Sequence, residues 1–400
     1  MADVEPQDKT GGPIGQSAGY CDPEPFFVAA QGQRINFFPA GGDRREALLA
    51  MIAQARESVR MSFYIFSEDQ TGVLVRDALV AAAQRGVAVT LIVDGFGGAA
   101  GPKFFAPLVA AGGRHLVFSA RWTQRYLIRN HQKIMIVDGS RAMIGGFNID
   151  DAYFAPPQAN GWNDLGLMIE GDIVPQLGRW FDRLDEWTAN PSANWQAFRR
   201  LVREWDPENG PVRLLIGGPT RGLSSWARVI EGDLSRGKRL DMMMAYFSPS
   251  SRMTRWIGAI AARGAARLLM AGKSDNNATI GATRSLYHYL LGQGVKLWEF
   301  QPSKLHTKLI VVDDVVYLGS ANFDMRSLYL NLELMLRIED AALAQRLREF
   351  IAQHLPASEE ITSEAHTKRA NFLNRLRWNL SWFLVTVVDY TVTRRLNLGL

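Results

Sequence analysis

The sequence predicts an α/β protein built from two similar halves. Three observations lead there. The chain repeats itself at an offset of about 175 residues, each copy alternates strand and helix patterns, and the best-matched stretch of each copy carries the same polar residues. Repetition at a long fixed offset means one structural unit used twice. The 400 residues, 47% apolar and 21% charged, are enough for two domain-sized cores.

Taken in order, residues 1–34 read as a disordered or extended N-terminal segment. Their start, MADVEPQDKTGGPIGQSAGY, is polar and partly acidic, without the basic start and apolar stretch of a secretory signal. The first repeat is expected over 35–207. In it VRMSFYIFSEDQTG, a helical stretch to AAAQRG, and VAVTLIVD give strand, helix and strand, the pattern of a parallel α/β unit. Leu74, Val75, Leu79 and Val80 fall at helical spacing, and Arg85-Gly86 closes that helix. The second repeat, 208–365, answers with LDMMMAYFSPSS, a helical stretch to AARGA, and ARLLMAG. Between them WDPENGP, residues 205–211, breaks the pattern with Pro, Asn and Gly.

Residues 366–400 form a basic, aromatic tail. Phe372, Leu376, Leu380, Phe383 and Val387 keep helical spacing, Trp378, Trp382 and Tyr390 flank them, and Lys368, Arg369, Arg375, Arg377, Arg394 and Arg395 stand at both ends. That composition suits a helix lying in an anionic membrane interface, with Trp378, Trp382 and Phe383 inserted. The plain alternative is a terminal helix packed on the protein. No run reaches the ~18 apolar residues of a spanning helix, and Asp389 closes the nearest, Leu380 to Val388.

The overall charge is mildly basic, 45 Lys+Arg against 40 Asp+Glu. This suits an anionic partner, whether nucleic acid or acidic lipid. Cys21 is the only cysteine, which excludes an intrachain disulfide. No GxxxxGK[ST] motif follows a strand, so nucleotide binding is unsupported. The glycine-rich GFGGAAGP after VTLIVD is open to two readings, a turn or a headgroup cradle.

The chemistry concentrates in the fullest match, RNHQKIMIVDGSRAMIGGFNID against SKLHTKLIVVDDVVYLGSANFDM. Both contain His-x-Lys-x-x-x-x-Asp: His131, Lys133 and Asp138, then His306, Lys308 and Asp313. The apolar residues after each lysine read as a strand buried on both faces. On a strand, residues i and i+2 point the same way, so each His and Lys meet one ligand together. Asp138 and Asp313 fall on the opposite face and read as turn residues. Small-residue turns then bring Asn148 and Asn322, whose amides can donate to phosphate oxygens. Asp164 and Glu333 follow at matching places, where a carboxylate can bond one imidazole nitrogen and turn the other toward substrate.

Two His, two Lys and two Asn fit phosphoryl transfer: one imidazole attacks phosphorus, the other moves protons, and the cations and amides hold the charged oxygens. A lysine two residues from each histidine repels a metal ion, and no Cys cluster is present.

These residues resemble the phospholipase D superfamily, whose signature is a duplicated HxKxxxxD followed by an asparagine, over about residues 45 to 340. GSANFDMRS with Asn331-Leu332-Glu333, YIFSEDQTG and AYFSPSS look most like the bacterial cardiolipin synthase branch. The resemblance implies two phospholipase D-like α/β halves, mixed sheets flanked by helices, packed side by side around one shared active site. It implies a phosphohistidine intermediate with no metal and no cofactor. The catalytic set it implies is His131, Lys133, Asn148, His306, Lys308 and Asn322, with Asp164 and Glu333 as orienting carboxylates. One departure is GGFN in the first half, which lacks the serine found at Ser320 in the second.

The function expected is phosphatidyl transfer of the cardiolipin synthase kind, with phosphatidylglycerol as donor. A phospholipid-hydrolysing phospholipase D and a nuclease are the rivals, along with a binding protein whose site is inactive. The partners expected are anionic phospholipids and no nucleic acid. The expected location is peripheral, on the cytoplasmic face of the plasma membrane.

Overall fold

The computed structural model describes residues 19–118, 128–190, 195–220 and 222–388. Residues 1–18, where the disordered lead-in was expected, lie outside this description, as do Tyr390, Arg394 and Arg395 of the tail.

The strands of the first half are β1 (Phe26–Ala30), β2 (Gln33–Phe38), β3 (Ser58–Phe63), β4 (Ala88–Asp94), β5 (Arg114–Phe118), β6 (Ile134–Val137), β7 (Arg141–Gly145), the two-residue β8 (Trp162–Asn163) and β9 (Gly166–Glu170). Those of the second are β10 (Val212–Gly217), β11 (Arg239–Met244), β12 (Phe247–Ser248), β13 (Ala265–Ala271), β14 (Lys296–Phe300), β15 (Lys304–Leu305), β16 (Lys308–Val312), β17 (Val315–Gly319), β18 (Phe323–Asp324), β19 (Glu333–Glu339) and β20 (Ser358–Glu360). They build two eight-stranded sheets, ordered β1-β2-β9-β7-β6-β3-β4-β5 and β10-β19-β17-β16-β11-β13-β14-β20. Aligned on the repeat, the two orders coincide, with β1 and β20 added at opposite edges. Each sheet is mixed: β3-β4-β5 and β11-β13-β14 are parallel and the rest antiparallel.

Part of the expected N-terminal segment is therefore sheet. β1 pairs antiparallel with β2, because Phe26 stacks on Phe37 at 4.7 Å and meets Phe350 at 5.8 Å.

The helix over Gln70–Gln84 starts where Asp69 accepts from the Gly72 amide, and it buries Val75 and Leu79. Ser250 caps Ser251–Arg263 and Asp340 caps Ala341–His354 in the same way, each satisfying an otherwise orphaned amide. Three apolar clusters result. One lies under Gly41–Ala53 and Gln70–Gln84 on the outer face of the first sheet. A second lies under Ser225–Arg236 and Ser251–Arg263 on the outer face of the other. The largest joins the two inner faces through Ile173–Ala189 and Ala341–His354, with Leu177, Trp180 and Phe181 beside Leu343, Leu347 and Phe350. The halves thus share a core.

They are also stitched by backbone. β8 pairs in parallel with β15, and Asn130 bridges Leu332. These are one contact made twice, related by a local pseudo-two-fold.

The tail is helical from Phe372 to Trp382 and continues as a wider turn over Phe383–Val388. One expectation is corrected here. Trp378 does not face outward; it is buried, stacked on His366 at 5.5 Å. Ser381 closes on Gly281 of the helix Asn277–Ser285, where a Cβ would sit 2.7 Å from its Oγ.

Candidate active site

Because β6 and β16 are central strands, every residue of both is buried. The chain just before each holds the histidine against the opposite half: the His131 amide donates to the Leu332 carbonyl at 2.9 Å and the His306 amide to the Asn163 carbonyl at 2.7 Å. Asp138 and Asp313 end these strands with φ of 51° and 48°, the left-handed region that Asp tolerates better than most residues. Asp138 accepts from the amides of Arg56, Glu57 and Ser58, and Asp313 from those of Lys238 and Arg239. They are structural turn residues, remote from the imidazoles.

The carboxylates cross over. Asp164 of the first half accepts from His306 Nδ1 of the second at 2.7 Å, and Glu333 of the second lies 3.1 Å from His131 Nδ1 of the first. Asp164, Glu333 and His306 are buried, while His131 keeps 12% of its side chain exposed. With Nδ1 engaged, each imidazole turns Nε2 away from its carboxylate, and the Tyr153 hydroxyl lies 3.5 Å from His306 Nε2. Lys133 Nζ donates to the His131 carbonyl at 2.6 Å, and Lys308 Nζ does the same to His306. Asn148 is fixed by the Ile65 amide at 3.1 Å. The structure thus gathers His131, Lys133, His306, Lys308, Asp164 and Glu333 across one interface, with Asn148 and Asn322 buried on the turns after β7 and β17.

Electrostatics follow from burial. Desolvation pushes His131 down to about 4 against the opposing pull of Glu333. Desolvation and then Lys308 push His306 down to about 3. Burial takes Lys308 to about 8 and Lys133 well below its ordinary value. Burial works to raise Asp164, but His306, Lys308 and Arg44 outweigh it and hold the carboxyl low. Glu333 is likewise held low by His131, Lys133 and Ser320 against burial. Both imidazoles are therefore neutral near pH 7 in the free protein, and a bound phosphodiester favours a proton on one of them.

The missing serine has a steric explanation. A Cβ on Gly146 would sit 2.8 Å from both oxygens of Asp164 and 2.8 Å from the Lys308 Cδ. In the second half Ser320 Oγ donates to Glu333 at 2.5 Å while accepting from the Leu334 amide at 3.0 Å. In the first half the equivalent amide, that of Leu165, reaches Asp164 directly at 2.8 Å. The hydroxyl is thus a relay that one half inserts and the other omits.

Several neighbours join the site beyond the residues of the repeated motif. Tyr64 lies 5.0 Å ring to ring from His131, while Tyr153 and Trp162 lie 5.0 and 5.2 Å from His306. Arg44 is fully buried and donates to the carbonyls of Asp164 and Tyr153, fixing the chain that carries the carboxylate. Asp94 binds the amides of Phe96 and Gly97 with one oxygen and that of Asn130 with the other. The glycine-rich loop is thereby tied to the strand of His131. A Gly-loop anchored by an acid at the end of VTLIVD was the nearest hint. Among the described residues no group of three or more His, Cys, Asp and Glu is arranged to hold a metal ion.

Duplicated mixed sheets, each with a His-x-Lys pair leading into a central strand and facing its counterpart across a shared interface, define a phospholipase D-like protein. The chain belongs to that family: a family model described as cardiolipin synthase, PLD-like domain, matches residues 48–185 and 233–355. It is 30% identical over 329 residues to cardiolipin synthase A of Pseudomonas entomophila, covering 80% of this chain and 68% of that protein. It is 29% identical over 343 residues to cardiolipin synthase 2 of Bacillus anthracis, covering 82% and 66%. It is 27% identical over 378 residues to the major cardiolipin synthase of Bacillus subtilis, covering 90% and 77%. The chain thus spans 66–77% of the length of these three relatives. In fold it is similar to the crystal structure of phosphatidylserine synthase from Haemophilus influenzae, with a TM-score of 0.71 at 15% identity over 92% of this chain and 96% of that one.

Proposed function

We propose that the chain is a phosphatidyltransferase of the cardiolipin synthase type, using phosphatidylglycerol as donor. The observation that carries this reading is the crossed pair of imidazoles, each oriented at Nδ1 by a carboxylate from the other half, with the Tyr153 hydroxyl 3.5 Å from His306 Nε2. His131 Nε2 attacks the donor phosphorus and the bond to the headgroup glycerol breaks. His306, protonated as the anion binds, gives its proton to the departing oxygen. A hydroxyl of a second phospholipid then loses its proton to His306 and attacks phosphorus, and the P–N bond breaks. Lys133, Lys308, Asn148 and Asn322 hold the non-bridging oxygens through both displacements, each such donor worth about 3 kcal/mol. Both lipids lie in one leaflet, so the protein works peripherally at a membrane surface, which we place on the cytoplasmic side. No described helix is long and apolar enough to cross a membrane.

The test is supply of phosphatidylglycerol vesicles to the purified chain. Glycerol should appear in step with cardiolipin, and should do so in the presence of EDTA. Phosphatidic acid as the main product would make water the acceptor, and cleavage of single-stranded DNA without lipid turnover would make the protein a nuclease. His131→Ala and His306→Ala should each abolish turnover without unfolding the chain, and a trapped phosphohistidine should map to His131. A label on His306 would reverse the two roles.

A further inference from the structure

The tail helix is amphipathic in a way its docking leaves unused. Its inner face, Trp378 and Ser381 with Thr386 beyond, is buried on the protein. Its outer face carries Phe372 at 78% exposure, Leu373 at 73%, Leu376 at 58%, Leu380 at 54%, Phe383 at 48% and Leu384 at 46%. These six include the most exposed large apolar side chains described in the molecule. Their spacing makes one continuous stripe ~18 Å long at 1.5 Å per residue. Arg375 and Arg377 stand exposed beside it, and Lys368 and Arg369 precede it. Exposed apolar stripes of this extent mark interaction surfaces.

We infer that this face docks on the surface of an anionic phospholipid bilayer, a reading that rests on the lipid chemistry proposed above. Two features favour a bilayer over a protein. The stripe is bordered by exposed guanidinium groups, which suit lipid phosphates and ill suit an apolar protein interface. The stripe is also coupled to the active site. The helix Asn277–Ser285 beneath it donates from Thr283 Oγ1 to the Phe247 carbonyl at 2.9 Å. At its start, Asp275 accepts from the Tyr246 hydroxyl at 2.7 Å, and the Tyr246 ring lies 6.5 Å from His306. A tail lying in the interface, its apolar face sunk ~5–10 Å, thus holds the wall of the site close to the lipid it acts on. The inserted groups are Phe372, Leu376, Leu380 and Phe383 rather than Trp378.

The experiment is flotation of the full chain with phosphatidylcholine vesicles, with and without phosphatidylglycerol. Wild type should float with the anionic vesicles, and salt should weaken that binding. Leu376→Glu/Leu380→Glu should bind about tenfold less or worse, with an unchanged melting temperature. Val109→Glu, at an exposed apolar site elsewhere, should bind as wild type. Arg375→Gln/Arg377→Gln, which cannot disturb packing, should lose severalfold on anionic vesicles and nothing on neutral ones. Flotation unchanged in both double variants overturns the inference. So does conversion of a wild-type dimer to a monomer by the leucine variant with flotation intact, which would make the face a subunit contact. Wild type that floats but makes no cardiolipin would sink the transferase reading and leave the docking surface standing.

Discussion

At Gly146 the structure separates two kinds of substitution that look alike on paper. Gly146→Ser places a side chain against a carboxylate pinned on both oxygens, by the Leu165 amide and by His306. Overpacking at such a point costs about 1–3 kcal/mol, so cardiolipin formation should fall steeply while the fold survives. Ser320→Ala collides with nothing but removes the donor to Glu333 and leaves the buried Leu334 amide without its acceptor, a loss of about 1–3 kcal/mol. Steady-state rates of the two variants measure the difference, and a fully active Gly146→Ser would refute the steric account. Lys308 gives a pH test. Burial sets it at about 8, so its charge is present below that pH and disappears above it. The affinity for inorganic phosphate should therefore weaken as pH rises through 8, and Lys308→Arg should flatten that dependence. Because both imidazoles start neutral, phosphate binding near pH 7 should also take up protons. Calorimetry in buffers of different ionisation enthalpy reads that uptake, and zero uptake would contradict the depressed values of His131 and His306.

Among elements, the strand-ending aspartates are the most sharply built. Asp138 joins a left-handed backbone to three amides of the turn before β3. Asp138→Ala loses both features and should destabilise by about 2 kcal/mol, whereas Asp138→Asn keeps the favoured backbone and should lose less. Chemical denaturation orders the pair. These strands show how much of the molecule was legible beforehand. The strands that follow each His-x-Lys pair and the helix around Val75 and Leu79 follow from local periodicity, which a linear sequence displays. The crossing of Asp164 to His306 and of Glu333 to His131 is a long-range pairing, and spacing along the chain carries no record of it. The same holds for the burial of Arg44, which is entirely enclosed. The tail was legible in composition but not in orientation. Helical spacing marks the apolar stripe there, and only the packing of Trp378 on His366 decides which side of the helix faces inward.

At the scale of the whole molecule, the largest apolar cluster belongs to neither half alone. Cutting the chain near residue 208 would expose Trp180, Phe181, Leu347 and Phe350 together, at about 25 cal/mol for each Å² of apolar surface returned to water. Calorimetry of the intact chain should therefore show one transition, and residues 1–207 expressed alone should aggregate. Two well-separated transitions would show that each half folds by itself.

The exchanged carboxylates bear on descent. A single ancestral copy would have carried an imidazole with nothing to orient it and an acid with nothing to orient. Two such copies meeting about a two-fold axis would have completed each other twice, so the smallest working ancestor is a pair. Joining the copies in one chain released them from having to be identical. Gly146 with Asp164 and Ser320 with Glu333 are then two solutions to a problem that symmetry once forced to have one. Each can drift only with its mate, 18 residues downstream in the first half and 13 in the second, while the histidine it serves is encoded in the other half of the gene.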